Sequence, residues 1–168
     1  KATAAGLTSS NYTIVSWGVL TTALALPETT NAEVVAKTTA INNAISALVL
    51  KADLTAYNAA LAVVIQSDYT VGSWSTYQVV VNANVVTTEN TQGQVNTATG
   101  NITTAQGSLV FAGKADLDTA KGIAAGKVQS DYTTVSWGVL TTALAMPEST
   151  NAEIVAKTTA INNAIAGL

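Results

Sequence analysis

The sequence predicts an all-α fold of three-helix bundles in tandem, forming an elongated rod in which adjacent repeats share a helix. Three observations carry that expectation. Residues 11–48 recur at 131–168 with 31 of 38 positions identical, and a looser copy lies between them. Within each copy, apolar residues fall at alternating spacings of three and four, the pattern of one buried helical stripe. The second and third helical stretches each open on a threonine placed as an N-cap.

The repeat sets the boundaries. Trp17, Trp74 and Trp137 are separated by 57 and 63 residues, and KATAAGLTSS at 1–10 aligns more weakly with KGIAAGKVQS at 121–130, so Lys1 corresponds to Lys121. A period of this size marks an array of small structural units. The expected divisions are residues 1–50, a partial repeat whose first helix is truncated; 51–113, a full repeat; and 114–168, a third. Leu168 aligns with Leu48, after which the first copy runs straight on, so the chain is expected to be a window on a longer array.

The first helix of a repeat is expected over 51–66, where Leu54, Tyr57, Leu61 and Val64 form one stripe and neither Gly nor Pro intervenes. The second follows the motif YTIVSW. With Thr13 as N-cap, Tyr12 precedes the cap and Trp17 is the fourth helical residue, the two positions that pack as a hydrophobic staple. The same device is expected at Tyr69 with Trp74 and at Tyr132 with Trp137. Ser16 falls where its hydroxyl can bond back to the cap, Leu20 and Leu24 continue the stripe, and Pro27 stops the helix. The third helix starts near Asn31 on a capping box, Thr30 with Glu33, repeated as Thr150 with Glu153 and, in the middle copy, as Thr91 with Gln94. Its stripe is Val34, Ile41, Ile45 and Leu48.

No breaker lies between Asn31 and Gln66, and the stripes on either side of residue 49 are offset by two positions, about 200° around a helix. One long helix, third of one bundle and first of the next, is the expectation. At the following junction Gly113 is placed to bend the chain.

Composition narrows the function. Charged residues make up only 10% of the chain, against about 25% in ordinary domains. Threonine, asparagine and serine supply the polar surface instead. Seven lysines, scattered singly and with no arginine, offer no basic patch for phosphates, which argues against nucleic acid as a partner. Cysteine and histidine are absent, removing thiol nucleophiles, Cys or His metal sites and the side chain that titrates near neutrality. No apolar run reaches the length of a membrane span, so no membrane insertion is expected.

Catalytic and metal patterns are weak. Asp116, Asp118 and Asp131 form the nearest thing to an acidic cluster, which the helix dipole explains more simply than calcium. Glu28, Glu33, Glu148 and Glu153 fall near helix starts at repeated positions, pointing to capping rather than to a glycosidase pair. The Asn11 and Asn101 triplets match a glycosylation acceptor that often occurs by chance. No cofactor, metal or enzymatic activity is expected. The middle copy carries about four extra residues before its third helix and a column of Gly93, Gly100 and Gly107 at intervals of seven. Such a column permits close approach, either of another helix of the same bundle or of a neighbouring molecule.

The pattern carried by Tyr12, Thr13, Ser16, Trp17, Leu20, Ala23, Leu24, Ala44, Ile45 and Leu48, and by their counterparts from Tyr132 to Leu168, resembles the FIVAR repeat. The likeness covers essentially the whole chain, although such repeats are usually richer in Lys, Asp and Glu. It implies three-helix modules of extracellular, cell-wall-attached or S-layer-type proteins of Gram-positive bacteria. The expected function is therefore a non-catalytic structural segment at the bacterial cell surface, a stalk or a self-assembling layer or filament whose main partner is itself. The alternative is an adhesive module that binds cell-wall glycan or a host protein through the aromatic helix starts.

Overall fold

A computed structural model describes residues 2–168, with side chains from Ala4 onward; Lys1, the counterpart of Lys121, lies outside the described residues. The described residues are all-helical: α1 (Ala2–Ala5), α2 (Ile14–Leu24), α3 (Asn31–Ser46), α4 (Thr55–Ala62), α5 (Val71–Ala83), α6 (Gln92–Gln106), α7 (Lys114–Ala125), α8 (Thr134–Leu144) and α9 (Asn151–Ala166). A single turn of 3-10 helix precedes each of α2, α5 and α8. No helix is long and apolar enough to cross a membrane.

The chain forms two compact units, residues 1–59 with 84–100 and residues 60–83 with 101–168, so the division passes through α4 and α6. In the first unit α2 packs on α3, burying Leu20, Ala23, Ile41 and Ala44, with Trp17, Leu24 and Leu48 at the margin. In the second, α9 packs against both α7 and α8, and Leu117, Leu140, Ile154 and Ile161 are each at most 1% exposed. Alanines fill the positions between these branched residues, which lets the helix axes approach closely.

Local chemistry sets the helix starts. Thr30 and Thr150 are N-caps with complete capping boxes to Glu33 and Glu153. Thr91 and Gln94 exchange the same pair of bonds at α6, the Gln94 side chain accepting from the Thr91 amide at 2.9 Å. Two orphan amides are thereby satisfied at each helix end.

The shared helix is not formed. α3 ends at Ser46 and α4 begins only at Thr55; between them residues 47–53 run out of the helix, and a single antiparallel bridge joins Leu50 to Tyr12. The expected helix over 51–66 accordingly shrinks to eight residues. Asp53 re-nucleates it, its carboxylate accepting from both the amide and the hydroxyl of Thr55 at 2.8 and 2.6 Å. The second junction behaves alike, with a bridge from Phe111 to Tyr69. Gly113 does more than bend the chain. It caps α7, donates its amide to Asn151 Oδ1 at 3.0 Å, and lies so near α9 that an added Cβ would sit 3.1 Å from Ile154 and 3.2 Å from Val155.

Candidate functional site

Each copy of the repeated motif builds the same helix entry. Thr13 is extended, and its hydroxyl accepts from the Ser16 amide while the two side-chain oxygens lie 2.9 Å apart. Thr70 with Ser73 and Thr133 with Ser136 repeat the pair at the same distance. One turn on, Tyr12 stacks with Trp17 at 6.0 Å, Tyr69 with Trp74 at 6.4 Å, and Tyr132 with Trp137 at 6.1 Å. All six rings are half-buried, each covering its partner and leaving an edge to solvent. Tyr77, in the place of Leu20, is buried, and its hydroxyl has no hydrogen-bond partner.

The serine has a second role that spacing along the chain does not reveal. The Val49 amide donates to Ser16 Oγ at 3.1 Å, the Thr13 amide donates to the Val49 carbonyl at 2.8 Å, and the Lys51 amide donates to the Asn11 carbonyl at 2.9 Å. At α5 the set recurs: Val110 to Ser73 Oγ at 3.1 Å, Thr70 to the Val110 carbonyl at 2.8 Å, and Ala112 to the Asp68 carbonyl at 2.9 Å. The motif is thus a latch that grips an extended strap arriving from the end of the third helix. These bonds replace the helical bonds that residues 47–51 give up, which is the physical reason the long helix is interrupted. Only a repeated Val two residues after an Ala/Ser or Gly/Ser pair hinted at it. Glu89, in the longer loop of the middle copy, adds a bond, accepting from the Ile14 amide at 2.7 Å at the start of α2.

A second repeated feature is an apolar groove on each outer copy. Along α8 and α9, Val135, Gly138, Val139, Met146 and Ala160 line a concavity of about 700 Å³; Val15, Gly18, Val19, Leu26 and Ala40, the aligned residues, line one of about 520 Å³ in the first unit. Val15 and Val135 are 78% and 81% exposed. The surface nearby is less hydroxylic than its composition suggests. Thr21, Thr22, Thr141 and Thr142 each donate their hydroxyl to the carbonyl four residues back, at 2.9 to 3.0 Å, and so turn toward the helix backbone rather than to solvent.

The charged residues pair locally. Lys37 and Lys157 are buried to 7% and 5% exposure, and each reaches a glutamate at 3.4 Å, Glu28 and Glu148 respectively. Lys37 also donates to the Leu26 carbonyl at 2.6 Å, beyond the C-terminus of α2 where a cation is favoured. Glu28 and Glu148 are therefore ion-pair partners of buried lysines. Donation from Lys121 foremost, with the charge of Lys157 added, holds the Glu148 carboxyl below its ordinary range. Glu33 is lowered too, first by the Thr29 hydroxyl and then by the Thr30 amide. Asp116 lies in the first turn of α7, Asp118 pairs with Lys114, and no group of three metal-ligating side chains occurs among the described residues. Gly93 and Gly100 are exposed on α6, where an added Cβ would have nothing nearer than 3.9 Å, and Gly107 follows the helix end. Among the described residues, an added Cβ at Gly93 or Gly100 meets no other helix within 4 Å.

No protein family matches the chain, and no characterised protein or solved structure is similar to it.

Proposed function

We propose that residues 1–168 form a non-catalytic, FIVAR-like structural segment of an extracellular bacterial surface protein, a rod-like stalk or a self-assembling layer or filament. The observation that supports this reading best is the duplicated groove: two copies, 120 residues apart, present the same exposed valines over the same alanine-lined floor. Equivalent apolar surfaces at regular intervals make equivalent contacts along an assembly. Low charge leaves little repulsion to oppose them. The test is sedimentation and negative-stain electron microscopy of the purified chain over a range of concentrations, beside a Val15→Lys, Val135→Lys variant. Concentration-dependent sheets or filaments lost in the variant support assembly, whereas isolated particles at every concentration overturn it.

One observation favours an adhesive reading. Tyr12 and Trp17, with Ser9, Ser10 and Lys51 beside them, line a concavity of about 500 Å³. Aromatic rings beside free serine hydroxyls suit a sugar ring. Titration of cell-wall glycan fragments against tryptophan fluorescence, with Trp17→Ala as control, distinguishes this from assembly.

A further inference from the structure

The tetrapeptide Lys-Ala-Asp-Leu occurs twice in the interior of the chain, at residues 51–54 and 114–117, and takes two conformations. At 114–117 it is the first turn of α7, capped by Gly113, whose carbonyl accepts from the Leu117 amide at 3.1 Å. At 51–54 it lies outside the helix, and α4 begins only at Thr55, with the Leu54 carbonyl accepting from the Asn58 amide at 2.9 Å. Identical residues carry identical intrinsic propensity. Their neighbours decide.

What touches residues 51–54 is the longer loop of the middle copy. The Ala52 amide donates to the Thr88 carbonyl at 2.9 Å. The Asp53 amide donates to Gln92 Oε1 at 2.8 Å, and the Asp53 carbonyl accepts from Gln92 Nε2 at 3.3 Å. Glu89 seats the loop, accepting from the Ile14 amide and lying 3.8 Å from the Lys51 amine. Nothing comparable holds the second tetrapeptide. Among the described residues, no bond from the shorter loop 145–150 reaches residues 110–117, and Asn151, aligned with Gln92, takes the Gly113 amide at 3.0 Å instead. There it supports the cap of α7 rather than competing with the helix.

The latch does not itself forbid a helix over 51–54. Within the tetrapeptide it holds only the Lys51 amide, to the Asn11 carbonyl, and an amide in the first turn has no partner inside a helix. Asp53 serves either state. It now accepts from Thr55, and its counterpart Asp116 sits in the first turn of α7, where a carboxylate is favoured.

We propose that residues 51–54 are a two-state segment and that residues 87–92 are the clasp that holds it extended; with the clasp released, α4 lengthens by up to one turn toward Lys51, as α7 already has. Four residues span about 13 Å extended and about 6 Å as helix, so the segment is a joint of adjustable reach. The two states are close in free energy, and the clasp sets their populations. This inference is independent of lateral assembly, because every group in it belongs to one compact unit of one chain.

The test uses the whole 168-residue chain labelled with ¹³C and ¹⁵N. In the native chain the Cα shifts of Ala52 and Asp53 are expected outside the helical range, and those of Ala115 and Asp116 within it. In a Glu89→Ala, Gln92→Ala variant the Ala52 and Asp53 shifts are expected to move toward those of Ala115 and Asp116, with the Ala52 amide exchanging about three- to tenfold faster. Both replaced side chains are exposed, so no core packing is lost. Glu89→Gln, which keeps an acceptor but drops the charge, is expected to move the same signals in the same direction by less, and it supplies the readout if the double variant fails to fold. Unchanged shifts at 51–54 in the variants would overturn the proposal by giving the extended state to the latch. Movement to random-coil values, or helical shifts at 51–54 in the native chain, would overturn it as well.

Discussion

Residues 11–48 and 131–168 are nearly the same sequence, and they differ in the segments that the 168 residues place beside them. Thr13 is buried under its strap, whereas Thr133, whose strap would align with positions after Leu168, is exposed. On the third helix the contrast reverses: Val34 is 45% exposed and its counterpart Ile154 only 1%. The reason is the neighbour. α9 has α7 packed along it, with Leu117 fully buried and Gly113 in contact with Ile154. The counterparts of residues 113–120 would precede Lys1, and on the corresponding face of α3, Val34, Lys37 and Ile41 line an open hollow of about 180 Å³. An apolar stripe therefore records what a helix is able to bury, and the adjoining chain decides whether it does.

The largest effect should come from truncating that stripe. Ile154→Ala removes a fully buried side chain and should cost about 2–5 kcal/mol, while Val34→Ala should cost under about 1 kcal/mol, measured by urea unfolding followed by circular dichroism. Equal losses would break the comparison, because they would mean α3 is covered as α9 is.

Next is the latch. Ser16→Ala leaves the part-buried Val49 amide without its acceptor and should cost about 1 kcal/mol, with faster hydrogen exchange at Val49. Ser136→Ala loses only local bonds and should cost under about 1 kcal/mol.

Glycines sharpen the same point on a smaller scale. Gly113→Ala forces a methyl toward Ile154 and Val155 and replaces a favourable N-cap, a cost of about 1 kcal/mol. Gly100→Ala, in open space on α6, should instead raise stability by up to about 1 kcal/mol. Thermal unfolding of the two single variants checks the opposite signs.

Acid should act on both units weakly. The folded carboxyls of Glu33 and Glu148 lie below the ordinary value of 4.5, so their contributions are complete above that pH and fade as the pH falls through the lowered values. With no histidine to titrate, unfolding midpoints should stay level from pH 6 to pH 8 and drop only on acidification. Replacing Lys121 by Met should shrink the acid response of the second unit and leave that of Glu33 unchanged.

Much of the local architecture is legible in the residues alone. Thr13, Thr30, Thr133 and Thr150 announce helix starts because a cap bonds to amides two or three residues away. The stacking of tyrosine on tryptophan follows from their spacing around the same cap. Tyr57 was legible as a buried stripe residue, but the extent of its helix was not, since nothing between Asn31 and Gln66 looks like a breaker. The buried lysines were equally hidden: Lys37 looks like any charged helical residue until the Leu26 carbonyl and Glu28 are placed around its amine.

By itself, then, the sequence determined an all-helical chain, its repeat, and where most of its helices begin, because caps and stripes act within a turn or two. Only the tertiary structure decided where the third helix stops and that the motif grips the strap that follows it. Those outcomes turn on bonds such as that between Val49 and Ser16, 33 residues apart, and no local preference registers a partner at that distance.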